Sequence, residues 1–311
     1  MHFRKGLNII CSLWASQPIS ASLAYNIPTT KLTSLQCISL IFTRLEVQTT
    51  QFLSYQQVFL RPKTAQKART ASLHIPSKFN NIEVARCASD CLWMFVLYAF
   101  EKPTPYSVSD TYGNTDGVKL QQCSQLLQQW SQTFERFLEN SGSNLDVTAR
   151  QVAIAMRINE LIASLSLTTE GSQGSQCNTE QQFSEIISIA TEIIDTHVEG
   201  RLENSEICIS MDTSVVGPLY HVALRCKHRI LRRKAIALLR LRKRVEGLWD
   251  SRFLADVAER FMEVEEGMFG ESVKDLKVVF DFEEGKAEVQ FVCQDNDIEK
   301  KKTEKINWPE W

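Results

Sequence analysis

The sequence predicts an all-α protein, in which an irregular multi-helix array is followed by a small C-terminal β-hairpin. Apolar residues recur at intervals of three and four along most of the 311-residue chain, which is the spacing of one face of an amphipathic helix. Strand-like alternation of apolar and polar residues is confined to the region around residues 278–291. Hydrophobic residues make up 43% of the chain and charged residues 23%, so the composition supports a sizeable packed core.

The individual helices are predicted from apolar stripes that turn-forming segments separate. The clearest stripe contains Leu120, Cys123, Leu127, Trp130, Phe134 and Phe137. Other stripes lie within residues 35–52, 84–99, 152–165, 183–194, 219–226, 231–239 and 254–262. Asn80 or Asn81 is expected to cap the helix that begins before Val84. Residues 60–79 and 101–117 predict loops, and the Ser-, Gly- and Gln-rich residues 166–182 predict a solvated linker.

The end of the chain is predicted to form an appendage. Val278, Phe280 and Phe282 alternate with other residues, residues 283–285 can turn, and Val289 and Phe291 alternate again. From residue 295 the chain becomes charged and loses its periodicity, which predicts a mobile tail. The expected organisation is therefore a helical domain over residues 1–270, a hairpin over 271–294 and a charged tail over 295–311.

Charge is unevenly distributed along a chain whose formal net charge is −2. Residues 225–244 contain ten Lys or Arg and no acid, whereas residues 246–310 contain eighteen Asp or Glu. The basic run consists of Arg225, Lys227, Arg229, Arg232, Arg233, Lys234, Arg240, Arg242, Lys243 and Arg244. It is a candidate nuclear-import signal, or a contact for phosphates or for an acidic partner surface.

A structural interpretation of the basic run is preferred. Leu231, Ala235, Leu238 and Leu239 predict a packed amphipathic helix within it. The basic side chains would then form the solvated side of two short helices and pair with the acidic block that follows.

Residue types that support catalysis do not converge in this sequence. There are five histidines and no nucleophile elbow, phosphate-binding glycine loop or His-Glu-x-x-His motif. We therefore expect neither enzymatic activity nor a cofactor. The longest apolar run, residues 91–100, is about half of the ~20 residues that a membrane-spanning helix needs, so no membrane association is expected.

The nine cysteines are expected to be core residues rather than metal ligands. Cys87 and Cys91 share a helix face, and His221, Cys226 and His228 are close in sequence. Neither group has a complementary pair at a usual zinc spacing. The odd number of cysteines, together with the absence of any Asn-x-Ser/Thr sequence, indicates a reducing compartment.

The segment from residue 211 to residue 266 has a clear physical interpretation. Gly217 and Pro218 predict a helix start, because Pro is accommodated in the first helical turn. Gly247 interrupts the periodicity, and Trp249 supplies a large apolar side chain. Asp250 or Ser251 can cap the next helix.

The same segment resembles the C-terminal helical region of the fungal-specific binuclear zinc-cluster transcription factors. The resemblance rests on Gly217-Pro218-Leu219-Tyr220, Cys226, Arg232-Arg233-Lys234, Glu246-Gly247-Leu248-Trp249-Asp250 and Glu265-Glu266. Residues 2–7, 42–48, 75–79 and 126–130 are similar to family segments in the same order. The resemblance thus spans about residues 2–282 and implies a helical regulatory domain.

One departure from the family limits what the resemblance implies. The family reads DNA through six closely spaced cysteines that hold zinc and begin with a Cys-x-x-Cys pair, and no such pair occurs here. The resemblance therefore implies a domain that acts through protein co-regulators, a homodimer or a small-molecule effector, without sequence-specific DNA binding of its own. The expected location is the nucleus, with the cytoplasm as the alternative. A helical interaction scaffold unrelated to transcription is the alternative function.

Overall fold

A computed structural model describes residues 73–99, 115–141, 144–171, 176–199, 208–210, 214–247, 249–267, 272–281, 286–295 and 298–307. Seven helices and two three-stranded sheets account for most of these residues. The prediction of a mainly helical protein is confirmed at this level, although two sheets replace the single predicted hairpin. The apolar stripe within residues 35–52 lies outside the described residues. None of the described helices is long and apolar enough to cross a membrane.

The internal contacts of the chain divide it into two compact units. Among the described residues, the three-helix unit runs from Leu73 to Thr179, and the C-terminal unit runs from Glu180 onwards. This division differs from the single helical domain predicted for residues 1–270. It falls inside the Ser-, Gly- and Gln-rich stretch of residues 166–182.

The three-helix unit consists of α1 (Ile82–Ala99), α2 (Thr115–Ser141) and α3 (Val147–Gly171). Asn81 caps α1 as predicted, because its Oδ1 accepts a hydrogen bond of 2.9 Å from the Val84 N–H. Five of the six members of the clearest predicted stripe are buried, namely Cys123, Leu127, Trp130, Phe134 and Phe137, and Leu120 is half-buried against the same core. The periodicity of α2 therefore marked the core face correctly.

The core of this unit also recruits residues that the sequence placed in a loop. Leu73, Ile75 and Phe79 precede α1 and are each at most 5% exposed. The Phe79 and Trp130 rings lie 6.4 Å apart, so the non-helical segment covers the aromatic face of α2. Loop composition indicated the lack of a helix but not this burial.

The linker predicted over residues 166–182 is largely helical, and that prediction is wrong. Helix α3 continues to Gly171, and α4 (Gln176–Glu199) begins five residues later. Ser166 and Thr168 donate their hydroxyl hydrogens to the carbonyls of Ile162 and Leu165, so these short polar side chains are satisfied within the helix. The buried Leu165 and Leu167 fix this end of α3 by packing.

The C-terminal unit begins with α4 and continues with alternating short strands and helices. In chain order these are β1 (Cys208–Ser210), α5 (Val216–Arg225), α6 (Arg229–Leu241), β2 (Arg244–Glu246), β3 (Trp249–Asp250) and α7 (Ser251–Gly267). Strand β2 is central in the first sheet, where it pairs in parallel with β1 and antiparallel with β3. These strands of two or three residues were missed, because they are too short to display alternation.

The second sheet is an antiparallel meander of β4 (Ser272–Asp281), β5 (Lys286–Asp295) and β6 (Ile298–Asn307). Strands β4 and β5 correspond to the predicted hairpin, with Val278, Val289 and Phe291 buried. The prediction of a structureless tail after residue 295 is wrong over β6, which pairs with β5 along its whole length. Backbone hydrogen bonds hold this strand, and its lysines suit a solvated edge position.

Candidate functional site

Six of the residues that carry the family resemblance lie where α5, β2, β3 and α7 come together. We call the group formed by Gly217, Tyr220, Glu246, Gly247, Trp249 and Asp250 the junction cluster. Its members are separated by up to 33 positions in the sequence. The cluster and the neighbouring helix α6 form the candidate site.

The N-terminus of α5 is capped from a distant part of the chain. Val215 occupies the N-cap position and provides no side-chain cap. The Glu246 carboxylate instead accepts hydrogen bonds from the N–H groups of Ser214 at 2.7 Å and of Val215 and Val216 at 3.1 Å. A negative charge at a helix N-terminus also interacts favourably with the helix dipole. One side chain therefore does the work that a local cap does in most helices.

Glu246 is a buried carboxylate whose lost hydration is only partly replaced by contacts within the protein. Its residue is 2% exposed, and its Oε1 lies 3.8 Å from Nε of the equally buried Arg244. Loss of hydration raises the pKa of Glu246, and this effect outweighs the three N–H groups and Arg244, which favour the charged form. The carboxylate accepts three backbone N–H groups and lies beside Arg244, which indicates a structural role.

Gly247 allows β2 and β3 to pair through a tight turn. Its φ of 61° lies in the left-handed region, where a residue without a Cβ avoids strain. Its N–H donates to the Ser210 carbonyl at 2.7 Å, which joins the turn to β1. The register then places Glu246 opposite Trp249. Leu248, the residue between them, lies outside the described residues.

Trp249 fills the space beside the start of α5. Trp249 is 4% exposed, and its ring meets the Tyr220 ring edge to face with centroids 5.9 Å apart. A Cβ added to Gly217 would lie 3.7 Å from the indole, an ordinary contact distance, so the indole packs directly over this position. Pro218, Leu219 and Cys226 are also buried on α5 or at its end.

Asp250 and Ser251 connect the cluster to α7. The Asp250 Oδ1 accepts hydrogen bonds from the N–H groups of Arg252 at 3.0 Å and Phe253 at 2.9 Å, as the sequence predicted for a cap. The Ser251 hydroxyl donates to the Arg242 carbonyl and accepts from the Arg244 N–H. The motif Glu246–Asp250 thus fixes two helix starts and one sheet.

Helix α6 is rotated relative to the face that the sequence predicted. Its buried residues are Arg232, Ala235, Ile236 and Leu239. Of the predicted face, Leu231 and Leu238 are instead half-buried, and that part of the prediction is wrong. The displacement arises because Arg232 occupies a core position, which an apolar stripe cannot reveal.

Arg232 is held by three contacts inside the C-terminal unit. Its Nε donates to the Ala223 carbonyl at 2.8 Å, and its Nη1 lies 2.6 Å from the Glu265 carboxylate. The guanidinium also lies 5.5 Å from the centroid of the Phe261 ring. This arginine joins α5, α6 and α7 and is not available to a phosphate or a partner.

Other members of the basic run pair with acids of α7. Arg229 and Arg233 lie 3.4 Å from Glu266, and Arg240 lies 2.7 Å from Asp256 and 2.6 Å from Glu259. The pairing of the basic run with the following acidic block is therefore confirmed for these residues. Exposed pairs of this kind contribute about 0.2–1 kcal/mol each.

The remaining basic residues differ in exposure. Arg225, Lys227 and Lys234 are exposed, and Arg242 and Lys243 are half-buried. Within the part of the chain that the structure describes, Lys227 and Lys234 form no ion pair. The candidate basic patch is thus divided into a paired side and an outward-facing side.

The ionisable residues of α5 do not assemble into a reactive group. Burial and Arg225 lower the pKa of His221 to about 4, so the ring is neutral near pH 7, and it packs 6.4 Å from the Phe183 ring. Burial raises the pKa of the Cys226 thiol. No group of three or more metal-ligating side chains occurs among the described residues. The expectation of no enzymatic activity stays a prediction.

The long-range roles of Glu246 and Arg232 were missed by sequence reasoning. The only available signal was their place in the family-like segment, because no local pattern identifies a cap that lies 30 residues away.

Comparison with known proteins gives no further information about this site. No family model, no curated protein and no solved structure matches this chain.

Proposed function

We propose that the chain is a regulatory helical domain of the fungal zinc-cluster transcription factor type that lacks its own DNA-reading module. It acts in the nucleus, through protein partners or a small-molecule effector. The observation that carries this proposal is the junction cluster. Residues noticed as a resemblance in the sequence form one connected set of contacts, which is the expectation for a segment that defines a fold.

The basic run supports the same proposal over direct DNA reading. Arg232 and Arg244 are buried, and Arg229, Arg233 and Arg240 pair with acids. Five of the ten cations of the run are thus engaged within the fold, and sequence-specific readout needs base contacts in addition to phosphate contacts. Recruitment to a promoter must therefore come from another molecule.

A reporter assay tests the proposal directly. The full chain is fused to an unrelated DNA-binding domain, and expression of a reporter carrying its site is measured in several growth conditions. We expect expression to change, upward or downward, with the fusion and to stay at baseline with the unfused chain. The fusion should extend to residue 311, because an end at residue 282 would leave β4 without β5 and β6.

Two variants make the assay specific for the folded domain. Glu246→Ala removes the cap of α5 and should abolish the effect, whereas Glu263→Gln alters an exposed side chain of α7 and should preserve it. A fusion that is folded, nuclear and bound to the reporter, yet leaves expression unchanged in every condition, contradicts the proposal. That outcome favours the helical scaffold unrelated to transcription.

A further inference from the structure

Helix α6 presents an apolar and basic stripe on its solvent side. Ile230 is 71% exposed and Leu241 is 60% exposed, and they are two of the four large hydrophobic side chains that are exposed among the described residues. Lys234 and Ala237 are exposed between them. The four residues follow at intervals of four, three and four, so they share the face opposite the buried side of the helix.

The stripe has different neighbours on its two sides. On one side Arg229, Arg233 and Arg240 pair with acids of α7. On the other side the half-buried Leu231 and Leu238 widen the apolar surface. One border of the stripe therefore consists of arginines paired with acids, and the other border is apolar.

The charge of the stripe itself is not neutralised. Helix α6 has no Asp or Glu in its sequence. Lys234 lies at the centre of the stripe, and Lys227 is exposed just before the helix; neither has an ion pair within the described residues. The surface thus combines a positive charge with solvent-exposed aliphatic side chains.

The spacing of the stripe is that of a helix seam. Ile230 and Ala237 take the d positions of a heptad and Lys234 and Leu241 take the a positions, which are the positions that contact a second helix in a coiled coil. A lysine at an a position selects its partner, because it disfavours a neighbour that carries no compensating charge.

We propose that the solvent side of α6 binds an acidic amphipathic helix of a partner protein. The inference rests on the proposed function, in which the chain acts through protein partners, and names the surface and the partner's chemistry. Leucines of the partner cover Ile230 and Leu241, and a glutamate faces Lys234.

Two other occupants fit the stripe less well. Nucleic acid would pair with Lys234, but phosphates gain nothing from the aliphatic side chains of Ile230 and Leu241. A second copy of this chain would bring two acid-free helices together, with basic residues facing basic residues. An acidic helix satisfies both the charge and the apolar surface.

The size of the stripe predicts a weak and reversible contact. Eleven residue steps from Ile230 to Leu241 correspond to about 16 Å of helix, or three turns. An interface of this length is at the small end of specific contacts, which is typical of transient regulatory binding.

A designed peptide provides the first test. The probe is a fluorescently labelled helical peptide of about 20 residues, with Leu at its a and d positions, Glu at the position facing Lys234 and Glu on both flanks. Anisotropy is measured with the full chain, next to a peptide of the same composition in scrambled order. We expect saturable binding of the designed peptide and markedly weaker binding of the scrambled one.

Substitutions in the chain locate the contact. The double substitution Ile230→Glu and Leu241→Glu, and separately Lys234→Glu, should each weaken binding by about tenfold or more. Val147→Glu changes an equally exposed aliphatic residue in the three-helix unit, and Lys78→Glu makes the same charge change there; both should bind like the unaltered chain. Circular dichroism checks that all four variants remain folded.

Four results would overturn the proposal. Equal binding of the scrambled peptide, or unchanged binding by the α6 variants, would show that the stripe is not the contact. Random duplex DNA that displaces the peptide, and whose binding depends on Lys234 but not on the two aliphatic residues, would assign the surface to phosphates. A dimer in sedimentation equilibrium that the double substitution dissociates would assign it to a second copy.

The reporter fusion distinguishes this proposal from the proposed function. If the unaltered fusion changes expression, the α6 double variant should lose the change while Val147→Glu retains it. A fusion effect that persists in the α6 variant overturns the docking surface alone. A fusion without any effect contradicts the proposed function, and peptide binding still decides the surface independently.

Discussion

The two units of this protein are stabilised in different ways. In the three-helix unit the core is almost entirely apolar, with Trp130 stacked on Phe134 at a centroid distance of 4.7 Å. In the C-terminal unit buried charges connect the elements, with Glu246 at the start of α5 and Arg232 between three helices. Apolar packing is non-directional and tolerates small shifts, whereas each buried charge needs specific partners. The C-terminal unit is therefore the part whose arrangement depends on individual polar residues.

Loss of a large aromatic residue should be the most costly change in both units. Trp249→Ala and Trp130→Ala should each lower the free energy of unfolding by about 3–5 kcal/mol, because each removes a buried indole and leaves a cavity. Urea unfolding of the full chain measures both values. Trp249→Phe serves as the milder control.

An unchanged unfolding transition for Trp249→Ala would contradict the packing described for the junction cluster. Trp249 is 4% exposed, so it is a buried residue of the cluster rather than an exposed anchor for a partner.

Glu246→Ala should have the next largest effect on the free energy of unfolding. It tests most directly whether the C-terminal unit depends on buried charges. It leaves the N–H groups of Ser214, Val215 and Val216 without their acceptor and the buried Arg244 guanidinium without its counter-charge, at a cost of about 3 kcal/mol. Glu246→Gln keeps one acceptor oxygen and should cost about 1–2 kcal/mol. Chemical denaturation compares both variants with Glu263→Gln, an exposed change that should stay within about 0.5 kcal/mol. A small effect of Glu246→Ala would mean that water can replace the carboxylate.

The pH dependence of stability offers a second measurement on Glu246. Its pKa is raised above the ordinary value of 4.5, so the folded protein binds this proton more tightly than the unfolded chain does. In the window that begins at pH 4.5 and extends upward, the contribution of this group to stability falls as pH rises. The stability advantage of the natural chain over Glu246→Gln should therefore grow on acidification through that window.

Two arginines of one basic run should differ in their effect on stability. Arg232→Ala removes a hydrogen bond to a backbone carbonyl, a short ion pair with the half-exposed Glu265 and a contact with Phe261, at a cost of about 2 kcal/mol. Arg240→Ala removes only exposed ion pairs and should cost less than about 1 kcal/mol. The difference should persist at high salt, because screening weakens the exposed pairs and leaves the buried contacts nearly unchanged. Equal costs would contradict the division of the run into buried and surface members.

The sequence by itself determined the local features of this protein. Helix positions and the caps at Asn81 and Asp250 could be predicted because each depends on residues three or four positions apart. Burial of Trp130 followed from the same periodicity. Much of the core of the three-helix unit can be predicted in this way, although Leu73, Ile75 and Phe79 join it from a segment that carries no helical stripe.

Which polar residues are buried, and which residues cover them, depends on the tertiary packing and could not be predicted from the sequence. Glu246 acts on an α5 terminus that lies 30 residues earlier, and Arg232 reaches Glu265, which lies 33 residues later. Strand β6 is held by backbone hydrogen bonds to β5, and the charged sequence of β6 does not predict this pairing. The exposed stripe of α6 likewise depends on the burial of Arg232, because the position of Arg232 sets which face of the helix is turned to solvent. Contacts of this kind depend on where distant segments meet, and no local spacing encodes that.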